Sequence, residues 1–79
     1  MYILISVTER NIVTQQFDTY NEARKQMLEE ICQASHYKDF VELSEAYDLD
    51  VDYGVSTFDA WANFHDTDMD WKIVKIKEK

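Results

Sequence analysis

Residues 2–34, YILISVTERNIVTQQFDTYNEARKQMLEEICQA, decide the fold, because the apolar period changes within them from two to nearly four. From Tyr2 to Thr8 the residues are mainly β-branched, aromatic or aliphatic. Ile3, Ile5 and Val7 fall on one face and Tyr2, Leu4 and Ser6 on the other, as a central strand with at least one buried face requires. Arg10-Asn11 follows, and Asn tolerates the positive φ of tight hairpin turns, so Ile12–Phe17 is expected to return as a second strand with Val13 and Phe17 on one face. The helix then announces itself. Thr19 precedes Tyr20-Asn21-Glu22 and can cap, while Glu22 reaches back to the N–H of the cap in a capping box. Ala23, Met27, Ile31 and Ala34 recur at helical spacing, Tyr20 and Leu28 widen the stripe, and Arg24, Lys25, Glu29 and Glu30 are assigned to the wet side.

The stripe loosens at Ser35-His36-Tyr37, which places a kink or short loop near residues 36–39 before a shorter amphipathic set of Phe40, Val41, Leu43, Ala46 and Tyr47. With no proline and a single glycine, Gly54 marks the expected sharp reversal. Asp48 to Tyr53 alternates acid and apolar, as an edge strand or extended segment does. Thr57–Phe64 also alternates, with Phe58, Ala60, Ala62 and Phe64 on one side; a helix capped by Ser56 is the alternative there. His65-Asp66-Thr67-Asp68 reads as a turn and Trp71–Ile76 as the closing strand. Strands first and last with helices between predict an α+β fold, a small mixed domain with a mainly antiparallel sheet and one or two helices on one face. Residues 1–79 form one domain in this reading.

A chain of this length buries only about 60 to 65 per cent of its unfolded surface, so modest stability is expected. Apolar content of 46% with 14% aromatic residues is too rich for a disordered chain. The net charge of -8 repels nucleic acid and anionic membranes and attracts cationic partners. Cys32 is the only cysteine, which rules out an intramolecular disulfide and points to the cytosol. The start, Met-Tyr-Ile-Leu-Ile-Ser-Val, has no basic flank and too short an apolar run for a secretory signal or a membrane span, so a cytoplasmic location is expected.

The charge is unevenly placed. Asp39 to Trp71 holds ten acidic residues and no Lys or Arg, so this run alone is more negative than the whole chain. Asp48, Asp50, Asp52 and Asp59 sit at positions one, three, five and twelve of an EF-hand-like loop, but Tyr53 occupies the position that needs glycine and Asp59 is too short for the bidentate one, which argues against a specific calcium site. Cys32 and His36 stand four apart and could in principle be nucleophile and base or half a zinc site; two further good ligands are missing, and a buried thiol beside a boundary histidine is the simpler account. No phosphate-binding glycine loop or nucleophile elbow is present, so no enzyme and no cofactor are expected. Trp61 and Trp71 either finish the core or leave one indole exposed as a contact anchor. Lys75, Lys77 and Lys79 have the spacing of one strand face and read as a protected sheet edge.

Along a strand, residues two apart lie about 6.5 to 7 Å from each other on one side, close to the phosphate repeat of a nucleic-acid strand. Asp48, Asp50 and Asp52 can therefore form a phosphate-like row, with Glu42 and Glu45 one helical step away, Asp59 on the next segment, and Asp66, Asp68 and Asp70 on another loop. Such a surface fits the basic groove of a nucleic-acid-binding protein. Tyr2–Val7, Phe17-Asp18-Thr19-Tyr20 leading into Glu22-Ala23, Ala60-Trp61-Ala62-Asn63 and Asp70-Trp71-Lys72-Ile73 together resemble small acidic proteins encoded by phages and mobile elements of Gram-positive bacteria. Some proteins of that size and acidity, which are not one homologous family, are anti-CRISPR or other anti-defence inhibitors, several of them nucleic-acid mimics. The resemblance implies an inhibitor and transfers no functional residue. The expectation is an acidic inhibitory binder with a basic, nucleic-acid-binding protein as partner, acting in the host cytoplasm if phage-encoded. The alternative is a small accessory interaction protein, with a homodimer possible, whose acidity only keeps it soluble.

Overall fold

The computed structural model describes residues 1–77; Lys79, the last of the expected lysine row, and Glu78 lie outside the described residues. The chain runs β1 (Tyr2–Val7), β2 (Ile12–Phe17), α1 (Tyr20–Ser35), α2 (Phe40–Ala46), β3 (Tyr53–Val55), β4 (Asp59–Phe64) and β5 (Thr67–Lys75). The strands form one antiparallel sheet in the order β2-β1-β5-β4-β3, with both helices on one face, the α+β architecture expected. The register aligns Leu4 with Ile73, Ser6 with Trp71, and Trp71 with Ala60, so one row of inward side chains crosses the central strands. Ala23, Met27 and Ile31 of α1 and Leu43 of α2 close over Leu4, Phe64, Trp71 and Ile73 to make the core.

Thr19 caps α1 as its sequence predicts, its hydroxyl accepting the Glu22 N–H at 3.2 Å. The return half of the capping box differs: the Glu22 carboxylate accepts from the Thr19 hydroxyl at 2.9 Å instead of from its main-chain N–H. At the other end His36 enters the left-handed region at φ 67 and stops the helix, and Asp39 caps α2 by accepting the Glu42 N–H at 3.0 Å. Glu30, assigned to solvent by its charge, turns instead toward the sheet. It lies seven residues after Ala23 and three after Met27, on the flank of the apolar stripe, and its carboxylate accepts from Ser6, Gln15, Gln26 and the Trp71 indole. A polar serine in the buried row across from Trp71 thus has its partner.

Three loop expectations are corrected. Asn11 does not adopt positive φ, because the four-residue connection between Val7 and Ile12 closes through a Thr8 N–H to Asn11 carbonyl bond without it. The sharp reversal is at His65-Asp66, with φ of 55 and 61, the two left-handed residues of a type I′ hairpin; Thr67 and Asp68 already belong to β5. Gly54 lies within β3, directly across from Trp61, and its φ is negative. Its missing side chain seats the indole, since a Cβ at that position would come within 2.8 Å of Cε2 of Trp61. Gly54→Ala is therefore expected to lift the indole and to lower stability by about 1 to 3 kcal/mol. Denaturation followed by tryptophan emission reads both effects, and a variant that melts and emits like the parent would refute this packing.

β5 is a central strand, so the reading of its lysines as edge protection is also corrected: Lys75 pairs with Tyr2 on β1, Lys77 lies beyond the end of the strand, and Lys72, outside that row, faces outward between Ile5 on β1 and Asp59 on β4. The true edges are β2 and the three-residue β3.

Candidate functional site

The candidate acids fall into two groups on different sides of the molecule. Glu42 and Glu45 are exposed on α2, in the helical layer. Asp48, Asp50 and Asp52 follow it, but the extended row expected of them does not form. Residues 48–52 curl into a turn in which the Asp48 carbonyl accepts from the N–H groups of Val51 and Asp52, and Asp50 takes φ 65. The Asp52 carboxylate is engaged inside that turn by the Asp48 N–H at 2.9 Å. The alternation misled for a physical reason: Leu49 and Val51 stay mostly exposed, at 58% and 69%, so burial does not hold the segment extended, and a local Asp side chain competes for the main chain where no ladder holds it.

The second group sits on the face of the sheet that no helix covers. Side chains alternate along β4 and β5, so with Ala60, Ala62, Met69 and Trp71 turned inward, Asp59, Trp61, Asp68 and Asp70 turn outward. Trp61 lies directly across from Asp70 and Asp59 from Lys72. Asp68 is held by the Asn63 side-chain amide at 2.6 Å, and the Asn63 N–H reaches the Asp52 carbonyl at 2.8 Å, which ties this end of the sheet to the 48–52 turn. Asp66 occupies the β4–β5 hairpin tip.

Between Trp61 and the aliphatic side chains of β1 runs a shallow trough of about 410 Å³, bordered by Ile5, Val7, Asp59, Trp61, Asp70 and Lys72. The question left open for the two tryptophans is thereby answered: Trp71 is core, and Trp61, 39% exposed, stands among carboxylates. An indole face next to two carboxylates can receive a guanidinium or ammonium group through cation–π and charge-assisted contacts. The sequence signal that could have separated the two tryptophans is parity: Trp61 is odd among the inward even positions of its strand, and Trp71 shares the parity of Met69 and Ile73.

Cys32 and His36 have different surroundings. The thiol lies against the groove between α1 and α2, near Phe40 and Asp39, whereas His36 has left the helix and its ring lies 5.6 Å from that of His65. Burial, and then the charge of Asp39, push the Cys32 thiol above its ordinary value of 9.0. A raised folded-state pKa means that the native protein holds this proton more tightly than the unfolded chain. Its contribution to stability is present below about 9 and is lost as pH rises through the folded value. A protonated, buried thiol should react with iodoacetamide at neutral pH at least about tenfold more slowly in the native protein than in urea; equal rates would contradict this placement.

Among the described residues, no group of three or more His, Cys, Asp or Glu is placed to hold a metal ion. None of the described helices is long and apolar enough to cross a membrane. No protein family, curated protein or solved structure matches the chain.

Proposed function

We propose that the protein is an acidic inhibitory binder that occupies a basic nucleic-acid-binding site of a partner protein, acting as a nucleic-acid mimic by occupancy and without a chemical step. The observation that supports this best is the open sheet face, where Asp59, Asp68 and Asp70 surround the half-exposed Trp61, within a run of ten acids that contains no cation. Carboxylates meet the lysines and arginines that otherwise hold phosphates, and the indole supplies a flat apolar group where a base would stack. The resemblance to small acidic phage and mobile-element proteins adds a host defence complex, such as a CRISPR effector in the cytoplasm, as the candidate partner. Binding of a captured partner should be displaced by duplex DNA and should weaken as salt rises. A partner that stays bound in the presence of excess DNA and high salt counts against mimicry.

A second reading has its own supporting observation. Next to the acidic half, the same open face carries Ile3, Ile5, Val7 and Val74 with no helix over them, an apolar surface of the kind that protein partners cover. On that reading the chain is an accessory interaction protein and its acids serve solubility. Salt separates the two, because an apolar contact changes little with ionic strength.

A further inference from the structure

β2 stands at the outer edge of the sheet and, among the described residues, pairs only with β1. Its six residues, Ile-Val-Thr-Gln-Gln-Phe, contain no charge, proline or glycine, and Ile12 is 72% and Val13 49% exposed. Edge strands are normally blunted by lysine, proline, bulges or shortness. The opposite edge, β3, is short and is preceded by a turn, but β2 has none of these protections. In a chain of net charge -8 the least protected edge thus carries no charge of its own.

The ladder shows which of its groups are free to pair. Thr8 N–H bonds Asn11 carbonyl at the hairpin, and Ile76 N–H bonds Met1 carbonyl on the other side of β1. In an antiparallel ladder the bonded pairs alternate, so Val13, Gln15 and Phe17 bond inward to β1, while Ile12, Thr14 and Gln16 direct their N–H and C=O outward. We infer that β2 is the interface of a homodimer, in which β2 of a second copy pairs antiparallel across a two-fold axis at Thr14 and continues the sheet from one protomer into the other.

That register is singled out by its own chemistry. With Thr14 opposite Thr14 of the second copy, Ile12 meets Gln16 and all the outward groups are satisfied, giving roughly six main-chain hydrogen bonds. The same register carries Arg10 of each protomer alongside Asp18 of the other, just beyond the strand ends, so opposite charges meet twice. A second copy is thus self-complementary at the longer of the two edges of the described sheet, where the paired strands set no acid opposite another. The inference does not depend on mimicry, since β2 lies at the opposite edge from the β4–β3 side that carries Trp61.

Sedimentation equilibrium near physiological ionic strength tests it. The wild-type protein should rise with concentration from 9.4 kDa toward twice that mass. Thr14→Pro removes one outward N–H and leaves the β1 ladder intact, so it should fold and stay monomeric. Arg10→Glu should weaken the dimer at least about tenfold by placing two acids together, and adding Asp18→Arg to it should restore association. If Thr14→Pro fails to fold, the charge swap decides alone. A wild-type protein that remains at monomer mass up to its solubility limit overturns the proposal. So does a dimer indifferent to Arg10→Glu, or one that Asp18→Arg does not rescue.

Discussion

Glu30→Ala should lower folding stability by about 3 kcal/mol, out of a total on the order of 4 to 12 kcal/mol for a domain of this size. The carboxylate holds the Ser6 hydroxyl at 2.7 Å, the Gln15 amide at 2.7 Å, the Gln26 amide at 3.1 Å and the Trp71 indole N–H at 3.3 Å. Ser6 and Trp71 are buried, so two of these donors cannot turn to water when the acceptor is removed. The exposed part of the Gln15 and Gln26 side chains can, which keeps the loss below the sum of four charge-assisted bonds. Glu30→Gln should fall between, at about 1 to 2 kcal/mol, because it keeps one acceptor oxygen for Ser6 and the indole but presents donors to the two amides. Urea denaturation measures both. A Glu30→Ala loss below about 0.5 kcal/mol would mean that α1 is held to the sheet by apolar packing alone.

This bond set also marks a limit of reading the sequence by residue class. The strand alternation of Tyr2–Val7 and Ile12–Phe17 and the Thr19 cap each rest on neighbours in sequence, and each was legible there. Thr57–Phe64 left strand and helix open, and β4 forms because Ala60, Ala62 and Phe64 complete a buried face against Trp71, Met69 and Tyr53. Glu30 was misassigned because its charge outweighed its position at helical spacing from Ala23 and Met27. Gly54 was misassigned because the need for a bare Cα comes from an indole seven residues away, which no local turn rule contains.

The candidate site was legible as composition and less so as geometry. The cation-free run from Asp39 to Trp71 is plain in the sequence. Its division between a turn beside α2 and an open sheet face depends on where β3 begins and on the parity of β4 and β5. Those depend on pairing partners across the sheet. The apolar half of the open face was hidden for the same reason: Ile3, Ile5 and Val7 look like a core row, yet the helices cover Leu4 and Ser6 instead.

The second large effect expected is on binding. Asp59→Asn with Asp70→Asn removes two charges beside Trp61 while preserving shape, and should weaken capture of a basic partner by roughly tenfold to a hundredfold. Glu9→Gln with Glu29→Gln removes the same charge outside the acidic run and should have little effect; Glu30 is unsuitable as a control because it holds the sheet. Asp48→Asn, Asp50→Asn and Asp52→Asn together should weaken binding less per charge, since those residues curl into a turn and Asp52 is engaged by Asp48. The most direct measurement is partner affinity as a function of salt, with and without duplex DNA, for the wild type and the Asp59/Asp70 variant. Mimicry predicts a steep fall with salt and competitive displacement by DNA in the wild type, with a weaker, flatter curve in the variant. Affinity that ignores both salt and DNA, and is equal in the two proteins, would contradict it.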